Sequence, residues 1–179
     1  MPPLIMSEGH QVQAVWLGGA GSPGALYAAT DSSFVQCPVF LNVITSFHKH
    51  IADKGKHDGK RHILLLDGHA SHVTFEVIEL AESSYIELCQ LPSHSSHITQ
   101  PLDVAAFGIF QREVTSVLGA FGRHHGGNMP VKVDILAVIR NAWERSFTPS
   151  QIRASFGGAA LWPVVMTRAL NRLRGRRTS

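Results

Sequence analysis

His62-Ile63-Leu64-Leu65-Leu66-Asp67-Gly68 is the stretch that decides the fold. Its uninterrupted apolar run ends on an acid and a glycine. Such a run predicts a strand buried on both faces, as in a parallel sheet, and Gly68 breaks it. Downstream, Ser71 or His72 opens a helix in which Val73, Val77, Leu80 and Ala81 fall on one face. Tyr85-Ile86-Glu87-Leu88-Cys89-Gln90-Leu91 then predicts the next strand, which Pro92 ends. Strand, helix, strand is an α/β pattern.

Upstream, Pro3-Leu4-Ile5-Met6 and Ala25-Leu26-Tyr27-Ala28 are short strand predictions, separated by a glycine-rich loop over 18–24. Pro38 suits the first turn of a helix carrying Val39, Phe40, Val43, Ile44 and Phe47. Lys54 to Arg61 is a polar loop. Beyond Pro92 a Ser/His-rich loop leads to Pro101, which opens a helix with Asp103, Phe107, Phe110 and Val114 near one face. Val131 to Phe147 is a further helix, and Thr148 or Ser150 starts a shorter one that Gly157-Gly158 breaks. Trp162-Pro163 leads into a basic tail. Trp16, Phe107, Phe110, Trp143 and Trp162 are expected in the core. No internal repeat or second domain is expected.

The 179 residues are 44% apolar and 16% charged, which excludes a disordered chain and suffices for one core. No apolar run is long enough to span a membrane, and the amino terminus has no signal-peptide pattern. Cys37 and Cys89 make no disulfide framework; both are expected reduced and buried, in a reducing compartment. Net charge is +3, and five positive charges, Arg168, Arg172, Arg174, Arg176 and Arg177, sit in the last twelve residues with no acid. The rest of the chain is therefore net acidic. Such a tail binds phosphates or serves as a nuclear import signal, or is simply a solvated helix end.

Asp67 ends a strand on the edge where open α/β sheets bind ligands. Asp103 follows 36 positions later, a length that can return the chain to the same edge. Two carboxylates held together need a cation between them, and Mg²⁺ prefers such oxygens. Two metal ions in such a site can cut a phosphodiester. The alternative is structural: Asp67 caps the next helix, and Asp103 is a first-turn acid favoured by the helix dipole.

Three motifs sharpen the choice. Leu64-Leu65-Leu66-Asp67-Gly68-His69-Ala70-Ser71-His72 resembles the second-aspartate motif of pogo/Tigger/jerky-type DDE transposases. Leu91-Pro92-Ser93-His94-Ser95-Ser96-His97 is similar to that family's Leu-Pro-Pro-His loop, and Gln100-Pro101-Leu102-Asp103-Val104-Ala105-Ala106-Phe107 to its third-aspartate segment. Looser likeness runs from Pro2-Pro3-Leu4-Ile5 to Leu161-Trp162-Pro163. The resemblance implies a DDE endonuclease domain over 1–165 with an RNase H-like fold, a mixed sheet flanked by helices, followed by a basic tail over 166–179. It implies Asp67 and Asp103 as catalytic, Mg²⁺-binding residues, DNA as the partner and the nucleus as the location.

The family's first aspartate and opening strands lie ahead of the segment that resembles Pro2-Pro3-Leu4-Ile5. The expectation is therefore a partial fold and an incomplete acid set. Asp31, Asp53 and Asp58 are the upstream acids that could substitute. Gly68 stands where the family usually has Asn. With a central strand missing, Ile63 to Leu66 would present an open edge that invites self-association or a partner protein. A rival reading takes His69/His72 and His94/His97 as zinc ligands of a hydrolase.

Overall fold

The computed structural model describes residues 1–12, 20–31, 35–56, 58–68 and 72–175, with the helix backbone alone at 172, 173 and 175. The chain divides into two compact units, Met1–Gln13 with Pro23–Pro92, and Ala14–Ser22 with Ser93–Ser179.

The first unit holds all four described strands. β1 (Leu4–Glu8) and β2 (Leu26–Thr30) pair in parallel, from Leu4 opposite Leu26 to Glu8 opposite Thr30. α1 (Cys37–Asp53) starts with Pro38 in its first turn, where the missing N–H costs nothing. β3 (His62–Leu66), α2 (Phe75–Ser83) and β4 (Ile86–Gln90) follow, and β3 pairs with β4 in parallel from His62/Ile86 to Leu66/Gln90. The α/β class is as the sequence predicts, and the parallel strands with their helices are compatible with a partial RNase H-like fold.

The core shows why only one face of β3 is covered. Phe40 and Ile44 of α1 meet Val77 and Ala81 of α2 over Leu66 and Ile86, with Leu64 and Leu88 packed alongside. Side chains alternate along a strand, so Ile63 points the other way and is 65% exposed. The strand is thus not buried on both faces, contrary to the reading of its apolar run. Cys89 alternates with Leu88 and is exposed, contrary to the expectation, while Cys37 is half-buried and packs against the core.

The helix expected from Ser71 or His72 begins later. Ser71 lies outside the described residues, His72 is in a short 3₁₀ turn, and Thr74 is the cap. The Thr74 hydroxyl accepts from the Val77 N–H at 3.4 Å, a contact that typically stabilises by about 1 kcal/mol. A β-branched hydroxyl residue with Glu76 in the first turn outcompetes the earlier start.

The second unit is helical. The Ser/His-rich loop contains α3 (Ser96–Thr99). A π-helical turn, Leu102–Ala106, runs into α4 (Phe107–His124), followed by α5 (Lys132–Ser146), α6 (Pro149–Gly158) and α7 (Met166–Gly175). Val117 of α4 packs on Val138 and Ala142 of α5, flanked by Phe110, Val114 and Leu118. Trp143 stacks on Phe147 at 3.8 Å between ring centroids, and Phe110 meets Trp143 edge-on at 6.2 Å.

Two expected core aromatics are surface residues. Phe107, the first residue of α4, is 45% exposed. Phe110, one turn further along the same face, is the residue that meets Trp143 of α5. Trp162 sits in the turn between α6 and α7 and is 73% exposed. Trp16 lies outside the described residues.

Candidate functional site

Asp67 is the first residue beyond β3. The Leu91 N–H donates to Leu66 O at 2.8 Å, extending the strand ladder to the residue before the acid. The backbone that aims Asp67 is therefore fixed by pairing rather than by a loop. Its carboxylate is 44% exposed, and Oδ1 lies 2.8 Å from Nδ1 of His72, whose side chain is only 13% exposed. The His72 ring is held in turn by Phe40, 4.3 Å away between centroids and tilted by 32°. Phe40 belongs to the core. A packed core residue thus fixes an imidazole, and the imidazole meets one carboxylate oxygen while the acid still reaches solvent.

Asp103 lies in the second unit, the second residue of the π-helical turn, and is exposed. At the start of a helical run its charge is favoured by the backbone dipoles. π turns recur at functional sites because they re-aim side chains.

The other residues singled out from the sequence divide cleanly. Asp31 pairs with His10 at 2.9 Å, Asp53 closes α1, and Asp58 meets Lys60 at 3.2 Å. The Lys60 backbone N–H, then its ammonium group, hold the Asp58 carboxyl below its ordinary pKa. Asp31 directly follows β2, whereas Asp53 ends a helix and Asp58 lies in a loop. His94 is an exposed residue with φ of +58°, His97 is exposed in α3, and His69 lies outside the described residues. Among the described residues no three His, Cys, Asp or Glu side chains gather as a metal-binding group. Arg168 donates from Nη1 to Gly157 O at 3.1 Å, and Arg174 is exposed on α7. Arg176, Arg177 and the Arg172 side chain lie outside the described residues.

A cleft of about 490 Å³ in the first unit is floored by Leu4, Leu26 and Tyr27 and walled by α1 with Lys49 and His50. Neither it nor a smaller cavity beside α2 is lined by Asp67.

The strand that leads into Asp67 lies where the sequence predicts it, but the ring of Phe40 beside His72, in a helix well upstream, was not predicted. The signal for it was weak: Phe40 is one of several apolar residues at helical spacing, and nothing in that spacing marks a ring aimed at a histidine.

The sequence pattern of a family described as DDE superfamily endonuclease matches residues 1–156. A curated protein from Cochliobolus lunatus named "MFS-type transporter clz9" is 29% identical over 171 residues, which is 96% of this chain and 18% of that protein. The chain thus spans under a fifth of the length of the curated relative it matches. No helix among the described residues is long and apolar enough to cross a membrane. No solved structure matches.

Proposed function

The chain belongs to the DDE superfamily endonuclease family, and on that premise we propose that it is a transposase-derived nucleic-acid-binding protein in which Asp67 and Asp103 are the counterparts of two of the family's acids. The observation that carries this reading is the fixed, half-exposed Asp67 carboxylate at the end of a parallel strand pair, inside the matched stretch. Its partner is DNA, and its arginine-rich end supplies phosphate contacts and nuclear import.

The donor chemistry fits a hard cation. Asp67 and Asp103 are exposed carboxylates, and Mg²⁺ needs only one or two such groups because it keeps several waters and takes substrate phosphates as further ligands. When bound, Mg²⁺ would supply charge neutralisation at the phosphate under attack. His72 orients the Asp67 carboxylate, and the β3–β4 ladder keeps that carboxylate at the surface. Asp103 is carried separately, on the π-helical first turn of its own helix.

Two of the three acids of the family motifs have counterparts in these 179 residues, so this polypeptide alone is proposed to bind DNA without cutting it. The test is a gel-shift titration beside a plasmid-nicking assay in Mg²⁺, with Asp67→Asn and Asp103→Asn as controls. Binding without nicking is expected. Nicking that both substitutions abolish would establish an active endonuclease instead, and absence of binding at low salt would sink the reading altogether.

A further inference from the structure

From Ser146 to Ser179 the chain contains no Asp or Glu and six arginines, Arg153, Arg168, Arg172, Arg174, Arg176 and Arg177, without a single lysine. Residues 157–179 lie beyond the stretch that the family pattern matches. This end of the second unit has a built geometry. Leu161 and Val164 bridge across a tight turn, and the Leu161 and Trp162 N–H groups both donate to Phe156 O, at 3.1 and 3.3 Å. Arg168 reaches back from the first turn of α7 to Gly157 O at 3.1 Å. A side chain at Gly157 would meet both Trp162 O and the Arg168 guanidinium, at 3.6 and 3.8 Å. The turn and the arginine thus both lie beside Gly157.

The turn displays an unusual surface. Trp162 is 73% exposed, Val164 73% and Met166 66%. A tryptophan so exposed forfeits most of the burial that normally justifies its size. The charged residues near it in sequence are all arginines. Guanidinium groups match phosphate bidentately and stack on flat π-systems, as ammonium groups do not.

We propose that the Leu161–Val164 turn and α7 form a binding surface for single-stranded nucleic acid, with Trp162 as the platform on which a base stacks and the arginines on the flanking phosphates. The inference rests on the nucleic-acid reading above and narrows it. Duplex DNA keeps its bases stacked on one another and offers Trp162 none. A single strand offers a base face at every nucleotide, and stacking of this kind tolerates any sequence. The arginines serve both forms, so the difference between them reports the indole.

The test uses the full chain, titrated by fluorescence anisotropy with labelled oligo-dT, with a duplex of equal length and with phosphatidylserine/phosphatidylcholine vesicles. Oligo-dT is expected to bind about tenfold more tightly than the duplex. Trp162→Ala should remove about that tenfold from oligo-dT binding and leave duplex binding unchanged, while Trp162→Phe should keep most of it. The indole is exposed, so neither change threatens the fold, and circular dichroism checks this. Equal affinity for both nucleic acids, or a Trp162→Ala variant indistinguishable from the parent on oligo-dT, would overturn the proposal and leave the broader reading standing. Binding to vesicles but to neither nucleic acid would overturn both.

Discussion

His72 Nδ1 stands 2.8 Å from Asp67 Oδ1, with the imidazole pressed against the Phe40 ring. The pair links two regions that ordinarily tolerate change differently. Phe40 is a core residue that senses packing, whereas Asp67 is half-exposed and senses its ligand. His72 carries the position of one to the other across a 3₁₀ turn.

Replacing His72 by Ala should therefore act twice. It opens a space beside Phe40 and releases the carboxylate. A half-exposed ion pair contributes little by itself, so most of the stability loss should come from the lost ring contact, about 1–2 kcal/mol. Urea unfolding measures it. His72→Phe should recover much of the stability by restoring a ring on Phe40, yet leave Asp67 unsupported. If the two variants are equally destabilised, the packing account of His72 is wrong.

The strand that carries Asp67 was legible because a short apolar run ending in Asp-Gly has few other solutions, and because three motifs stand in family order. The two-faced burial of that strand was not legible. An apolar run reports which residues can be buried, while the number of neighbouring layers decides which are, and here α1 and α2 cover Leu64 and Leu66 but not Ile63. Phe107 was misread for a similar reason: its spacing puts it on the face of Phe110 and Val114, but it is those two that pack against the α4–α5 cluster. Trp162 was misread because composition ranks tryptophan as core, and nothing local distinguishes a displayed indole from a buried one.

His50 sets a pH dependence. Partial burial first, then the neighbouring amino-terminal ammonium and Lys54, lower its pKa below the ordinary 6.5, against a smaller opposing pull from Asp53. The unfolded chain therefore takes up this proton at higher pH than the folded one. Stability from this group is fully present above 6.5 and is lost as pH falls through 6.5 towards the lower folded value. Chemical denaturation on either side of that window should show a shallower loss in His50→Gln than in the parent. A steeper loss in the variant would contradict the sign.

Among the described residues β3 pairs only with β4, and Ile63 is 65% exposed on the uncovered face. An apolar strand at a sheet edge is a template for another chain. Sedimentation velocity should show concentration-dependent association of the parent that Ile63→Lys reduces, because a charge on the strand opposes stacking and edge pairing alike. Equal association of both proteins would place any contact elsewhere.

The arginine-rich end should govern how salt weakens duplex binding. Each phosphate that an arginine neutralises releases condensed counterions, giving a slope of about −0.9 in log K against log salt on duplex DNA. Five arginines lie between Arg168 and Arg177, and Arg168 is partly committed to Gly157 O. Three or four phosphates engaged at once would give a slope near −3. Changing Arg172, Arg174, Arg176 and Arg177 together to Gln keeps Arg168 and its contact with α6, so the turn at Trp162 is left intact. The slope should then fall towards −1, and duplex affinity at low salt should drop steeply. The Asp67 and Asp103 carboxylates oppose the phosphates when no cation is present, so Mg²⁺ should relieve part of this repulsion in the parent. Asp67→Asn with Asp103→Asn should remove that Mg²⁺ effect while leaving the slope from the arginines in place. A slope unchanged by loss of the four arginines would mean that the phosphate contacts come from another part of the chain.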